Sequence, residues 1–191
     1  GCPVAHLVMG DNNDCHGFTL LSDDGGSSFH LGATAFGAGD KHSNECQVVQ
    51  LTNGSLLLNA RSLASPLSRQ RRIQTISHDG GATFGPTRYV PELPQPIGGC
   101  EGSMIRLTNG TLLFSGPDST LLRTGMRIWR SEDDGASWQA HGGPIDAGSS
   151  GYSSLQQVGP GRVGLLYEQS DPNDLVDDIV MTPDRFVFRL L

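Results

Sequence analysis

The chain has 191 residues, with 20 acidic side chains against 13 basic ones and a formal net charge of −7, a balance that argues against a general nucleic-acid or membrane-surface role. No run of about 18 apolar residues marks a membrane-spanning helix, and no signal peptide is visible. The 26 Gly and 11 Pro, with no helical periodicity longer than about three turns, point to a turn-rich all-β chain.

In chain order, the sequence opens Gly1-Cys2-Pro3 rather than with Met, which fits a piece whose N-terminal portion is removed, split off or not included. Asp11-Asn-Asn-Asp14 starts like a calcium loop, but Cys15 stands where an oxygen ligand is needed and no Glu occupies the twelfth position. The six His show no ligand spacing, so neither a metal nor another cofactor is expected. Cys2, Cys15, Cys46 and Cys100 contain no CxxC pair; they allow three disulfide connectivities or four buried thiols, and the thiols are favoured.

The dominant signal follows. Ser-x-Asp-x-Gly-x-x-(Phe/Trp) occurs three times, at Ser22 to Phe29, Ser77 to Phe84 and Ser131 to Trp138, with first residues 55 and 54 positions apart. Ser and Asp are suited to hydrogen-bonding nearby backbone, Gly to supplying positive φ, and the aromatic to anchoring the turn on a neighbouring strand. A second series runs in step. Leu51-Thr-Asn-Gly54 and Leu107-Thr-Asn-Gly110 lie 56 positions apart between apolar runs and read as hairpins whose Asn-Gly pairs take positive φ at both central positions. Val158 to Tyr167 reads as a weaker third member with a Pro-Gly turn. Asn53-Gly-Ser and Asn109-Gly-Thr are also formal glycosylation sequons.

Period and content give one four-stranded antiparallel sheet per repeat, the blade of a β-propeller. At a period near 55 the chain holds about three and a half blades, whereas closed rings typically have four to eight. It is therefore expected to be part of a larger ring, with exposed strand edges unless a partner covers them. The arginine clusters Arg69, Arg71, Arg72 and Arg123, Arg127, Arg130 read mostly as solvated strand ends.

Polar residues bracketed by apolar strands mark the candidate site, because the inner ends of several blades converge on a propeller axis. They are Glu45-Cys46-Gln47, Asn59-Ala-Arg61-Ser62, Arg123, Gly151-Tyr-Ser-Ser-Leu155 and Leu166-Tyr-Glu168. Two arginines, two glutamates and a tyrosine facing one pocket suit an anionic substrate. At these residues, interleaved with the three boxes, the chain resembles the sialidases, whose Asp box is this repeated pattern; the likeness is nearest the vertebrate lysosomal type and covers nearly the whole chain.

The resemblance implies a six-bladed propeller, of which residues 1–191 form the C-terminal part of a single domain, and an exo-acting, retaining glycosidase that removes terminal sialic acid from glycoproteins, glycolipids and oligosaccharides. It implies that Arg61 and Arg123 are the second and third arginines clamping the substrate carboxylate, that Tyr152 is the nucleophile, and that Glu45 takes its proton. Glu168 matches the acid that holds the first family arginine. That arginine and the Asp acid/base have no match here, and Asp11 and Asp14 lie too close to the first box to supply it. The chain alone is thus expected to be inactive and to need the missing N-terminal half. Glu101, in Gly99-Cys-Glu-Gly-Ser103, either lines the pocket or caps a bend. A lysosomal or secreted route is implied. The alternative is a non-catalytic propeller that binds glycans or proteins and uses its boxes for folding only.

Overall fold

A computed structural model describes residues 4–9, 15–36, 43–62, 70–170 and 184–191. Cys2, Asp11, Asp14 and Arg69 lie outside the described residues, as does the side chain of Cys15. Among the described residues the regular structure is antiparallel β-sheet, and no helix is long and apolar enough to cross a membrane.

The strands fall into successive blades. Strands β1 (Val4–Met9), β2 (Cys15–Leu21) and β3 (His30–Ala35) form a three-stranded sheet, and β4 (Ser43–Gln50), β5 (Leu56–Ser62), β6 (Arg71–Ser77) and β7 (Arg88–Pro94) form a complete four-stranded one. Next come β8 (Ser103–Arg106), β9 (Leu112–Pro117), β10 (Thr124–Ser131) and the short β11 (Gln139–Ala140). The long β12 (Asp146–Gly159) pairs with β10 through its first residues, then turns to pair with β13 (Arg162–Gln169), which pairs with β14 (Arg185–Leu190). That shared strand joins the last two blades into one seven-stranded sheet. The second and third boxes each follow the third strand of a blade. By the same rule the first box makes β1, β2 and β3 equivalent to a second, third and fourth strand.

Central strands bury both faces, which is why β5 and β9 each open with three consecutive apolar residues, Leu56 to Leu58 and Leu112 to Phe114, rather than with an alternating pattern. Leu58 packs with Ala35, Phe36, Ala60 and Ile73 towards the first sheet, while Leu57 joins Leu112, Phe114, Trp129 and Trp138 towards the third. Leu113 turns the other way, onto Met126, Leu155, Leu165 and Tyr167. Each of the three clusters fills one interface between successive blades.

All three boxes fold alike. The serine hydroxyl donates to the aspartate (2.9, 2.8 and 2.8 Å) and accepts the glycine N–H (2.7, 2.8 and 2.9 Å). The aspartate also accepts both the backbone N–H and the hydroxyl of Ser28, Thr83 or Ser137, a seventh-position hydroxyl that the sequence motif leaves unspecified. These donors hold the Asp24 and Asp79 carboxyls down to about 2. The boxes also tie blades together: the Gly81 carbonyl accepts from Ala33 N and Thr19 Oγ1 of the preceding sheet, and the Gly135 carbonyl accepts from Arg88 of its own preceding sheet.

Three expectations need correction. The aromatic anchor holds for Trp138, which is 3% exposed, and in part for Phe84, which packs against the Leu58 cluster, but Phe29 is 53% exposed. The Asn-Gly hairpins are not two-residue loops with two positive φ values. Leu51 N donates to Ser55 O and Gly54 N to Leu51 O, with only Gly54 at positive φ (87°), and Leu107, Gly110 and Thr111 repeat this. This is a three-residue loop, a tight turn followed by a left-handed Gly, in which Asn53 and Asn109 instead use their side-chain oxygens to accept Ser55 N and Thr111 N. Third, Arg72 is no solvated strand end: it is 1% exposed.

Candidate active site

Two β-bulges build the site. In the β4–β5 ladder Ser43 pairs with Ser62 and Cys46 with Ala60, so Asn44 and Glu45 together face the single residue Arg61. In the β12–β13 ladder Ser150 pairs with Gln169 and Ser153 with Tyr167, so Gly151 and Tyr152 face Glu168. An extra residue bends the strand and re-aims its side chain. Here both extra residues aim at the same place.

The phenol of Tyr152 donates to Glu45 Oε1, across 107 positions of sequence. Arg61 Nη1 donates to Glu45 Oε2 at 2.8 Å and to Tyr152 Oη at 3.2 Å, closing a three-membered cluster. The guanidinium of Arg123, 7% exposed, lies 5.2 Å from the centre of the Tyr152 ring, a cation–π distance. Its Nη2 donates to Gly99 O, while its Nε is buried with no hydrogen-bond partner among the described residues. The bulge also frees two successive amides for carboxylates: Tyr152 N donates to Glu168 Oε2 (3.0 Å) and Ser153 N to Glu101 Oε2 (3.1 Å).

Electrostatics follow from this packing. Burial, then the hydrogen bond and charge of Glu45, push the Tyr152 phenol up to about 12, while Arg61 and Arg123 pull the other way. The phenol is therefore neutral at physiological pH and loses its proton only to a base already in contact with it. Burial pulls the Arg61 guanidinium down, but the hydrogen bond and charge of Glu45 outweigh it, and its pKa is raised. Burial lifts the Glu101 carboxyl to about 7 against the Ser153 amide and the charge of Arg72. Cys46 and Cys100 are free thiols, pushed up by burial to about 11 and 12, so neither is a thiolate nucleophile at neutral pH. No cluster of three His, Cys, Asp or Glu that could hold a metal occurs among the described residues.

All five residues singled out in the sequence are brought together: Glu45, Arg61 and Tyr152 by direct bonds, Arg123 by stacking and Glu168 through the Tyr152 backbone. Glu101 faces this cluster and fixes Ser153 instead of capping a bend. Sequence reading missed Arg72, whose only signal is a charge set two positions before Gln74 on a strand with both faces buried.

Such a cluster on successive blades of an Asp-box propeller defines a class, and the comparisons agree with it. Residues 1–165 match the family described as the BNR repeat-like domain. Sialidase-2 of Cricetulus griseus is 31% identical over 180 residues, covering 83% of this chain and 44% of that protein. The sialidase of Micromonospora viridifaciens is 34% identical over 159 residues, covering 78% and 23%. Among solved structures, a Hadza microbial sialidase superposes with a TM-score of 0.72 at 28% identity, covering 87% of this chain and 32% of that one. The chain belongs to the sialidase family of BNR-repeat proteins. It spans less than half the length of these relatives.

Proposed function

We propose that the chain carries the nucleophile side of an exo-sialidase active centre and forms the C-terminal part of one propeller domain, residues 1–191. The observation that carries this reading is the phenol of Tyr152 bonded to Glu45 and flanked by two guanidinium groups. The anomeric carbon of a sialic acid bears a carboxylate, which would repel an anionic Asp or Glu nucleophile. A neutral phenol avoids that repulsion, and sialidases are an exception to the two-carboxylate scheme. In the first step Tyr152 Oη bonds to the anomeric carbon and passes its proton to Glu45. The bond to the aglycone oxygen breaks, and that oxygen takes a proton from an acid the family carries upstream. Water then displaces the phenol, so two inversions give retention.

Arg61 and Arg123 are the proposed carboxylate clamp, guanidinium forks being suited to fixing a carboxylate's orientation as well as attracting it. Glu168 accepts the Tyr152 amide, and its proposed role is to hold the family's first arginine. The substrates are sialylated glycoproteins, glycolipids or oligosaccharides, and the partner is the N-terminal half of a six-bladed ring. Sequons on the exposed turns at Asn53 and Asn109 accord with a lysosomal or secreted route.

The test uses a fluorogenic sialoside. The isolated chain is expected to turn over little, because general acid/base help is worth about 10²- to 10⁴-fold; the chain completed with upstream blades is expected to be active. In the completed protein, Tyr152→Phe should remove turnover yet leave binding of a sialic-acid glycal intact. Robust hydrolysis by the isolated chain, or full activity of the Phe variant, overturns the assignment. A glycal bound without any turnover by the completed protein would favour a non-catalytic binding propeller.

A further inference from the structure

Three consecutive backbone carbonyls in the β7–β8 loop each receive a different arginine. Gly98 O accepts from Arg61 through both Nε (2.9 Å) and Nη2, Gly99 O from Arg123 Nη2 (3.2 Å), and Cys100 O from Arg72 Nη1 (2.6 Å). The next residue, Glu101, accepts the amide of Ser153 beside Tyr152. One short loop therefore contacts both proposed clamp arginines and the segment carrying the proposed nucleophile. Its shape depends on glycine, with Gly98 and Gly99 at φ of 73° and 75° and a turn closed by Gly99 N donating to Pro96 O. A Cβ on Gly99 would stand 2.6 Å from Arg61 Cγ.

Arg72 makes no hydrogen bond with Glu45, Tyr152 or either clamp arginine, but it bonds the third of the loop's three carbonyls. It projects from β6, donates Nε to Asn59 Oδ1 on β5 (2.7 Å), lies 5.1 Å from the centre of the Phe114 ring on β9, and reaches the loop with Nη1. It thus spans two blades and the loop between them. Burial lowers its pKa only to about 10, with Glu101 opposing the fall, so it carries its charge at neutral pH. A buried charge is costly to keep unless it is paired and hydrogen-bonded. Here it orients a carbonyl that adjoins the two carbonyls holding the clamp.

We infer that Arg72 is a positioning residue for the carboxylate-recognition site, acting on Arg61 and Arg123 through the Gly98–Cys100 carbonyls. This rests on the sialidase reading for its functional consequence but not for its structural one, and the test separates the two. Lysine at position 72 keeps the charge, but a single ammonium on a flexible stem does not reproduce the planar fork's paired bonds to Asn59 and Cys100. In Arg72→Lys, the Nε–H resonances of Arg61 and Arg123 in the 15N-labelled chain should shift or broaden, while the amide resonances of the third box, Ser131 to Trp138, stay in place. In the completed, active protein, KM for the sialoside should rise about tenfold with kcat changing less than about threefold, the pattern of a lost binding interaction.

Should Arg72→Lys fail to fold, Gly98→Ala tests the same carbonyl geometry without touching the buried charge. Its Cβ meets nothing within 4 Å, but its backbone is strained at positive φ. It should give the same resonance shifts and the same rise in KM. Unchanged arginine resonances in a folded variant, or lower stability with unchanged resonances and KM, overturn the inference. If the completed protein proves to have no sialidase activity, the resonances still decide whether Arg72 positions the two arginines.

Discussion

Glu101 is a carboxyl placed where its charge is unwelcome, and that has a measurable consequence at the scale of one residue. Its folded-state pKa, about 7, lies above the ordinary value of 4.5 because burial penalises the anion more than the Ser153 amide and Arg72 relieve it. Between those two values the folded chain binds more protons than the unfolded one, so stability falls as pH rises from about 4.5 to about 7 and is then constant in this respect. The carboxyls of Asp24 and Asp79 act in the opposite sense but at pH below 4. Urea midpoints measured from pH 5 to 8 should therefore decline for the parent chain and stay nearly flat for Glu101→Gln, which keeps an acceptor for Ser153 N. Parallel curves would show that the carboxyl ionises freely. The existence of Glu101 was plain from the sequence; its burial was not, because a Gly-Cys-Glu-Gly stretch looks like any polar turn.

At the scale of the element, turns and bulges divide the labour. The boxes and Asn-Gly loops hold the strands in phase. Ser131 is 2% exposed, and its hydroxyl both accepts from Gly135 N and donates to Asp133. Ser131→Ala leaves that amide without its acceptor and should cost about 1–3 kcal/mol in chemical denaturation. Gly54→Ala places a Cβ at φ 87° and should cost about 1–2 kcal/mol. Neither should alter the position of the Arg61 or Arg123 resonances, since both changes lie outside the loop that holds those side chains. The boxes were legible because each is closed by hydrogen bonds within eight residues. The bulges at Glu45 and Tyr152 were not, because a bulge is a mismatch between two strands and exists only once the partner strand's register is fixed.

At the scale of the whole molecule, the last sheet exposes apolar side chains on one face. Phe186, Phe188 and Leu190 on β14 are 69%, 60% and 50% exposed, and Leu166 beside Phe188 on β13 is 44% exposed. The opposite face of these strands packs Leu165, Tyr167 and Val187 into the core. An apolar face on an outer strand of a sheet is a template for association, so the isolated chain should self-associate. Phe186→Lys with Phe188→Lys should shift its sedimentation towards monomer without loss of β-sheet circular dichroism; sedimentation as a monomer by the parent chain would count against this. The sequence by itself determined the all-β class, the blade period, the box turns and the residue types of the site, because these rest on short-range hydrogen bonds and on apolar patterning along single strands. Only the tertiary structure decided how two bulges bring Glu45 onto Tyr152, a pairing that the resemblance implies, and that Arg72 is buried beneath the loop serving Arg61 and Arg123. Those outcomes depend on how separate strands register and how successive blades stack, over separations of up to 107 residues, and no local pattern encodes them.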